Sequence, residues 1–118
     1  MHQFKELNVW QKSVDLAVDI YSLTKKLPAE ERFGLISQIN RSAVSIPSNI
    51  AEGAGRNTNN EFNHFLGISV GSSFELETQL IITQRLDFIS VEDLNVVVKK
   101  LNDIQNMVYG LKSSLFKP

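Results

Sequence analysis

Cysteine is absent from the 118 residues, which include one tryptophan, two histidines and three prolines. Without thiols the chain can form no disulfide, thiolate metal site or cysteine nucleophile. The histidines are too few for a di-metal bundle, whose chemistry needs two Glu-x-x-His pairs and two further inward glutamates. Glu61 and His64 supply one such pair, and the other histidine, His2, stands in the lead-in with no glutamate suitably spaced. No metal or other cofactor is therefore expected. No strand pattern or low-complexity segment is present. No apolar run approaches the roughly 20 residues of a membrane span. The opening MHQFKELNVW lacks an apolar signal core, so the chain is expected in the cytoplasm. An excess of charge is missing too, with 12 basic against 13 acidic residues and a formal net charge of −1. Steering onto a polyanion is then no property of the whole monomer, and a nucleic-acid site would have to be a local basic patch.

What is present is the composition of an ordinary globular chain, 42% hydrophobic and 21% charged. One domain over residues 1–118 can bury a single core. Apolar residues recur at three- and four-residue steps in four segments. The first helix is expected over residues 9–26, with Asn8 as N-cap and Gln11 completing a capping box. Two apolar rows, Trp10, Val14, Ala17 and Tyr21 beside Val9, Leu16, Ile20, Leu23 and Leu27, give it a wide buried arc. The second helix is expected to open at Pro28, Ala29, Glu30 and Glu31 and to run to about residue 54. Its seam is Ile36, Ile39, Ala43, Ile46, Ile50 and Gly53, and Gly53 and Gly55 are expected to give left-handed C-cap geometry. Thr58 and Glu61 form a second capping box, opening a third helix to about residue 86. Ser90 and Asp93 cap a fourth, whose seam is Leu94, Val97, Leu101, Ile104, Val108, Leu111 and Leu115. Helices of this length joined by short connections must pack antiparallel, so the fold expected is all-α, an up-down-up-down four-helix bundle.

One stretch breaks the local rules, QINRSAVSIPSNIAEGAGR over residues 38–56. Pro47 lies well inside the second helix, where its missing N–H and its ring remove the bond to the Ala43 carbonyl and kink the rod. A polar row of Gln38, Arg41, Ser45, Ser48, Glu52 and Arg56 replaces the usual Lys/Glu mixture. Local inconsistency of this kind tends to mark functional or strained sites. The row is read as a buried polar contact between subunits or with a ligand, against the plainer reading of a tolerated kink facing water. In the third helix Gly67 and Gly71 each cost about 1 kcal/mol against alanine, so close approach by another helix is expected there, opposite the Arg41–Pro47 zone.

Catalysis is not expected. No motif marks an activated hydroxyl among Ser45, Ser48 and Ser72, and Glu75 and Glu77 point to nearly opposite sides of a helix. Gly53, Gly55 and Arg56 lack the preceding strand and following Lys-Ser/Thr of a phosphate loop. For nucleic acid, Arg41 and Arg56 are the leading candidates. Glu52, four residues before Arg56, competes with phosphate as its partner.

Three segments together resemble a known family: Phe4, Leu7, Val9, Trp10, Gln11 and Lys12 at the start; the run RSAVSIPSNIAEG with Gln38 before it and Gly55 and Arg56 after; and Gly71, Ser72, Glu75, Glu77, Thr78, Gln79 and Leu80. The chain resembles the bacterial four-helix-bundle proteins encoded in 23S rRNA intervening sequences, and is similar to the accessory protein of diversity-generating retroelements. The resemblance implies a left-handed bundle assembled as a homopentamer, without enzymatic activity and associated with RNA or a nucleoprotein. The alternative is a purely protein-binding homo-oligomeric scaffold. Arg41, Ser45, Asn49, Glu52, Arg56 and Glu75 are the contact residues it implies, with Pro47, Gly53, Gly67 and Gly71 serving the kink and close packing.

Overall fold

The computed structural model describes residues 2–118. Among these residues stand four α-helices, α1 (Asn8–Thr24), α2 (Leu35–Ala54), α3 (Asn59–Arg85) and α4 (Val91–Ser114), with short 3₁₀ turns at Phe4–Glu6 and Ala29–Glu31 and no strand. The molecule measures 49 × 24 × 20 Å, two helix diameters in each short direction at about 10–12 Å per helix. Each helix packs on its neighbour in the chain and α4 returns to α1, with the α2–α3 contact the most extensive and α1–α4 the thinnest. Ser42 faces Gln79, Ser45 faces Ser72 and the Ile46 carbonyl faces Ser69. The numbers fall on α3 as they rise on α2, so the two are antiparallel. Asp19–Lys100 and Lys26–Asp93 give α1 and α4 the same relation.

The core follows the periodicity. Leu16 and Ile20 of α1, Ile39, Ile46 and Ile50 of α2, Phe62, Leu66, Leu76 and Leu80 of α3, and Leu101 and Val108 of α4 are fully buried. Each contributes about 1.5–3 kcal/mol by leaving water. The α4 seam is the most regular, with Val97, Leu101, Ile104, Val108 and Leu115 buried and Leu94 and Leu111 packed against them. Thr58 caps α3 as its sequence requires, its Oγ1 accepting from the Glu61 N–H at 3.1 Å. Ser90 Oγ likewise accepts from the Asp93 N–H at 3.0 Å.

Four local expectations are corrected. Asn8 lies inside α1; Leu7 is the N-cap and has no capping side chain. Gln11 instead donates from Nε2 to the Lys5 carbonyl at 2.8 Å, because the turn at Phe4–Glu6 brings the lead-in back over the helix start. Pro28 opens only a 3₁₀ turn, and α2 begins after Gly34, whose φ of −108° and ψ of −109° break the helical path. Gly55 is right-handed and no glycine has positive φ. Gly53 is needed for space: a Cβ there would stand 2.8 Å from Phe65 Cβ and 2.9 Å from Phe62 Cδ1. Close approach to α2 is made elsewhere by Ser69 and Ser72, while a Cβ on Gly71 would meet nothing within 4 Å and one on Gly67 only Lys112 Nζ at 3.5 Å.

Among the described residues the one left-handed residue is Asp87, at φ 62°. The Asp87 N–H donates to the Gln84 carbonyl at 2.8 Å and the Phe88 N–H to the Thr83 carbonyl at 3.1 Å. These are the paired bonds of a Schellman ending, with Asp87 where glycine is usual. Gly53→Ala should therefore lose about 1–3 kcal/mol through overpacking. Asp87→Gly should be neutral or gain up to about 1 kcal/mol by relieving the left-handed Cβ. Urea unfolding of the two variants beside the parent checks both signs.

Candidate interaction surface

The polar row on α2 divides when the helix packs. Of the row, Ser45 turns toward α3, joined by Ser42 and Asn49 beside it, and Gln38, Arg41, Ser48 and Glu52 stay in solvent. Ser45 Oγ and Ser72 Oγ share a hydrogen bond of 2.8 Å. Asn49 Nδ2 donates to the Ser45 carbonyl at 2.8 Å and lies 2.9 Å from Ser45 Oγ. Ser69 Oγ donates to the Ile46 carbonyl at 2.9 Å. Side-chain donors thus reach the Ser45 and Ile46 carbonyls just before buried Pro47, whereas the carbonyl that loses its ladder bond to the proline is that of Ala43. Ser42 Oγ lies 3.0 Å from the Gln38 carbonyl, 3.0 Å from Gln79 Oε1 and 3.1 Å from Glu75 Oε1, and Glu75 Oε1 also accepts from Gln79 Nε2 at 3.2 Å. Among the described residues no buried side-chain nitrogen or oxygen lacks a partner. Ser42, Ser45 and Asn49 therefore find their polar contacts within the chain.

The two candidate arginines do not form one cradle. Arg56 Nη2 is 2.6 Å from Glu52 Oε1, and its guanidinium lies 4.7 Å from the centre of the Phe65 ring. That ion pair is half in solvent and worth under about 1 kcal/mol, but with the ring it holds Arg56 against α3. Arg41 is exposed and has no acidic partner among the described residues. Fifteen residues separate the two, or about 20 Å along a helix. The histidines are also engaged: the His2 N–H donates to the Ala54 carbonyl at 2.9 Å, its ring rests 4.9 Å from Phe62, and His64 lies 5.5 Å from Phe65. The His2 contacts tie the lead-in to the end of α2. Among the described residues no group of three His, Asp or Glu side chains is placed to hold a metal, and no helix is long and apolar enough to cross a membrane.

Two apolar surfaces were not foreseen. Between α1 and α2, Val14, Ala17, Val18, Tyr21, Val44 and Pro47 line a shallow groove of about 430 Å³. Val18 is 62% exposed and Tyr21 47%, so the Trp10–Tyr21 row of α1 and Val18 beside it are only partly covered by α2. On the outer corner of α3, Ile68, Gly71, Phe74 and Ile82 share one face, with Phe74 49% exposed and Ile82 46%. The available signal was the width of the apolar arc on α1, broader than one neighbour can cover.

Residues 5–110 match the family model described as 23S rRNA-intervening sequence protein. The chain belongs to that family. A solved protein of Bacteroides thetaiotaomicron, described as being of unknown function and from the S23 ribosomal protein family, is similar over 88% of this chain and 97% of its own, with 28% identity and a TM-score of 0.82. Comparison with curated proteins gives no match. Within this family member the α2–α3 seam should prove structural. Ser69→Ala should cost about 0.5–1.5 kcal/mol for the lost bond to Ile46, whereas Arg41→Ala, on the exposed face, should stay within about 0.5 kcal/mol of the parent. Denaturant midpoints at equal slope are the readout.

Proposed function

We propose that this member of the 23S rRNA-intervening sequence family is a non-catalytic, cytoplasmic homo-oligomeric bundle that associates with RNA or a nucleoprotein. The observation that carries the oligomer is the pair of unpartnered apolar surfaces, a groove on α1 and α2 and a ridge on α3. They lie on different sides and differ in shape, one concave and the other bearing the Phe74 side chain. Groove against ridge is a head-to-tail contact, which closes into a ring when the rotation allows, five copies on the resemblance to the family. Arg41 beside the groove and Glu75 beside Phe74 carry opposite charges with no ionic partner among the described residues, so the same docking would pair them between copies. The wholly apolar lining of the groove favours protein over a charged ligand. Gly67 and Gly71 then keep the ridge thin where the neighbouring copy passes.

RNA association draws its support from the family description. Its alternative is an assembly of the same kind that touches protein alone. Size-exclusion chromatography with light scattering, monitored at two ultraviolet wavelengths on nuclease-free preparations, separates these readings. The parent should elute as a closed oligomer carrying nucleic acid. Val18→Glu and Val44→Glu, both at exposed positions, should elute as folded monomers; unchanged mass in both would overturn the groove as the contact. Gly71→Ala should raise helix stability by about 1 kcal/mol in a dissociated chain while weakening assembly, and an unaffected oligomer would remove α3 from the interface.

A further inference from the structure

Tyr21 separates two grooves of unlike character. On one side lies the apolar groove above. On the other, at the end of the bundle where α1 gives way to α2, Tyr21, Thr24, Lys25, Leu27, Arg32 and Asn40 line a second, of about 350 Å³, with Ala29 and Ile36 completing it. That volume falls at the small end of ligand pockets, about 300–1,000 Å³. Its floor is aliphatic, one wall is a half-exposed phenol ring, and its charged lining residues are both cations. Neither Lys25 nor Arg32 has an acidic partner within ion-pair distance among the described residues. Thr24 Oγ1 donates to Asn40 Oδ1 at 3.0 Å, which leaves the amide NH₂ of Asn40 as the donor available to the groove. Next to Arg32 in the chain stands Phe33, 89% exposed, with the Arg32 guanidinium 5.5 Å from its ring centre.

We infer that this end groove is a binding site for single-stranded RNA, in which Tyr21 and Phe33 offer faces to unstacked bases and Lys25 and Arg32 meet the phosphates. It rests on the RNA-associated reading above and names where that contact is made. Single-strand binding requires aromatic faces on which bases stack and cations that follow the backbone, and in this molecule the two occur together here. Arg41 and Arg56, the arginines expected from the sequence, do not meet this description: one has no exposed ring in contact with it, and the other is held by Glu52 and Phe65. A duplex is a poor occupant, because its bases are stacked on one another and leave nothing for Phe33 to cover. Glu30 and Glu31 lie on the turn before Arg32, outside the groove's lining. They limit affinity and keep the site local. A protein segment fits less well, since the cationic rim asks for an anion and the apolar half beyond Tyr21 already suits a second copy.

The test is fluorescence anisotropy of a labelled oligoadenosine RNA, roughly 12 nucleotides long to exceed one stacking site, titrated with the assembled full chain at several salt concentrations. Two phosphate contacts predict that log K falls with log salt at a slope of about −1.4. Lys25→Gln with Arg32→Gln should flatten that slope. Phe33→Ala, at a position that contributes little to the core, should weaken binding about 5- to 100-fold without changing oligomer mass. If the parent binds RNA and all the variants bind equally, the groove is overturned while RNA association stands. If the parent binds no RNA at low salt, both fail together. A loss of oligomer mass in Phe33→Ala would show instead that the loop touches a neighbouring copy, and would overturn the site.

Discussion

The contact between α2 and α3 sets the geometry of the molecule. Gly53 lets the end of α2 press against Phe62 and Phe65, and farther along Ser72 and Ser69 meet Ser45 and Ile46, the two residues just before Pro47. Small side chains bring the backbones close enough for hydroxyls to reach main-chain carbonyls. That approach turns a proline in mid-helix, costing about 3 kcal/mol or more in isolation, into part of a packed seam. The other helices build on this pair, and two exposed ion pairs, Asp19–Lys100 and Lys26–Asp93, join the α1 side to α4.

Once that seam is drawn, the surfaces left over decide what the protein can do. Six polar residues on α2, α3 and the turn between them were legible as contact positions, and the fold commits most of them. Ser42, Ser45 and Asn49 bond within the chain, and Arg56 leans on Glu52 and Phe65. Arg41 and Glu75 keep a free charge. What faces outward instead is apolar, on α1 and α3, with a cationic and aromatic corner at the α1–α2 end.

The fold was readable where local and global signals agree. In α4 no proline interrupts the seam from Leu94 to Leu111 and the one glycine there, Gly110, is exposed and off the seam, and Thr58 and Ser90 each precede an acid by three residues. Those elements came out as the sequence implied. Reading failed where a tertiary neighbour took over a local motif. Gln11 had the spacing of a capping box, but the Phe4–Glu6 turn offered its amide a carbonyl. Gly53 looked like a cap because glycines end helices, whereas its reason is an aromatic side chain on α3, invisible until the hairpin closes. The candidate site suffered from the same ambiguity. Serine and asparagine at helical spacing do not reveal whether their partner is water, another copy or the next helix, and here it was the next helix. Phe33 and Phe74 passed unnoticed because a lone phenylalanine reads as core until its neighbours are known.

The uneven packing also bears on how the chain is made. Synthesis delivers α1 and α2 first, yet α2's strongest partner is α3, the next helix to be made. Until α3 emerges, Ile39, Ile46 and Ile50, fully buried in the finished molecule, have only α1 to cover them, and Pro47 lacks the serines that later surround it. A nascent chain ending near residue 55 should thus be open to proteases, and one extended through α3 resistant. The hairpin would be the first part of the protein to become solid, with α4 closing against α1 afterwards.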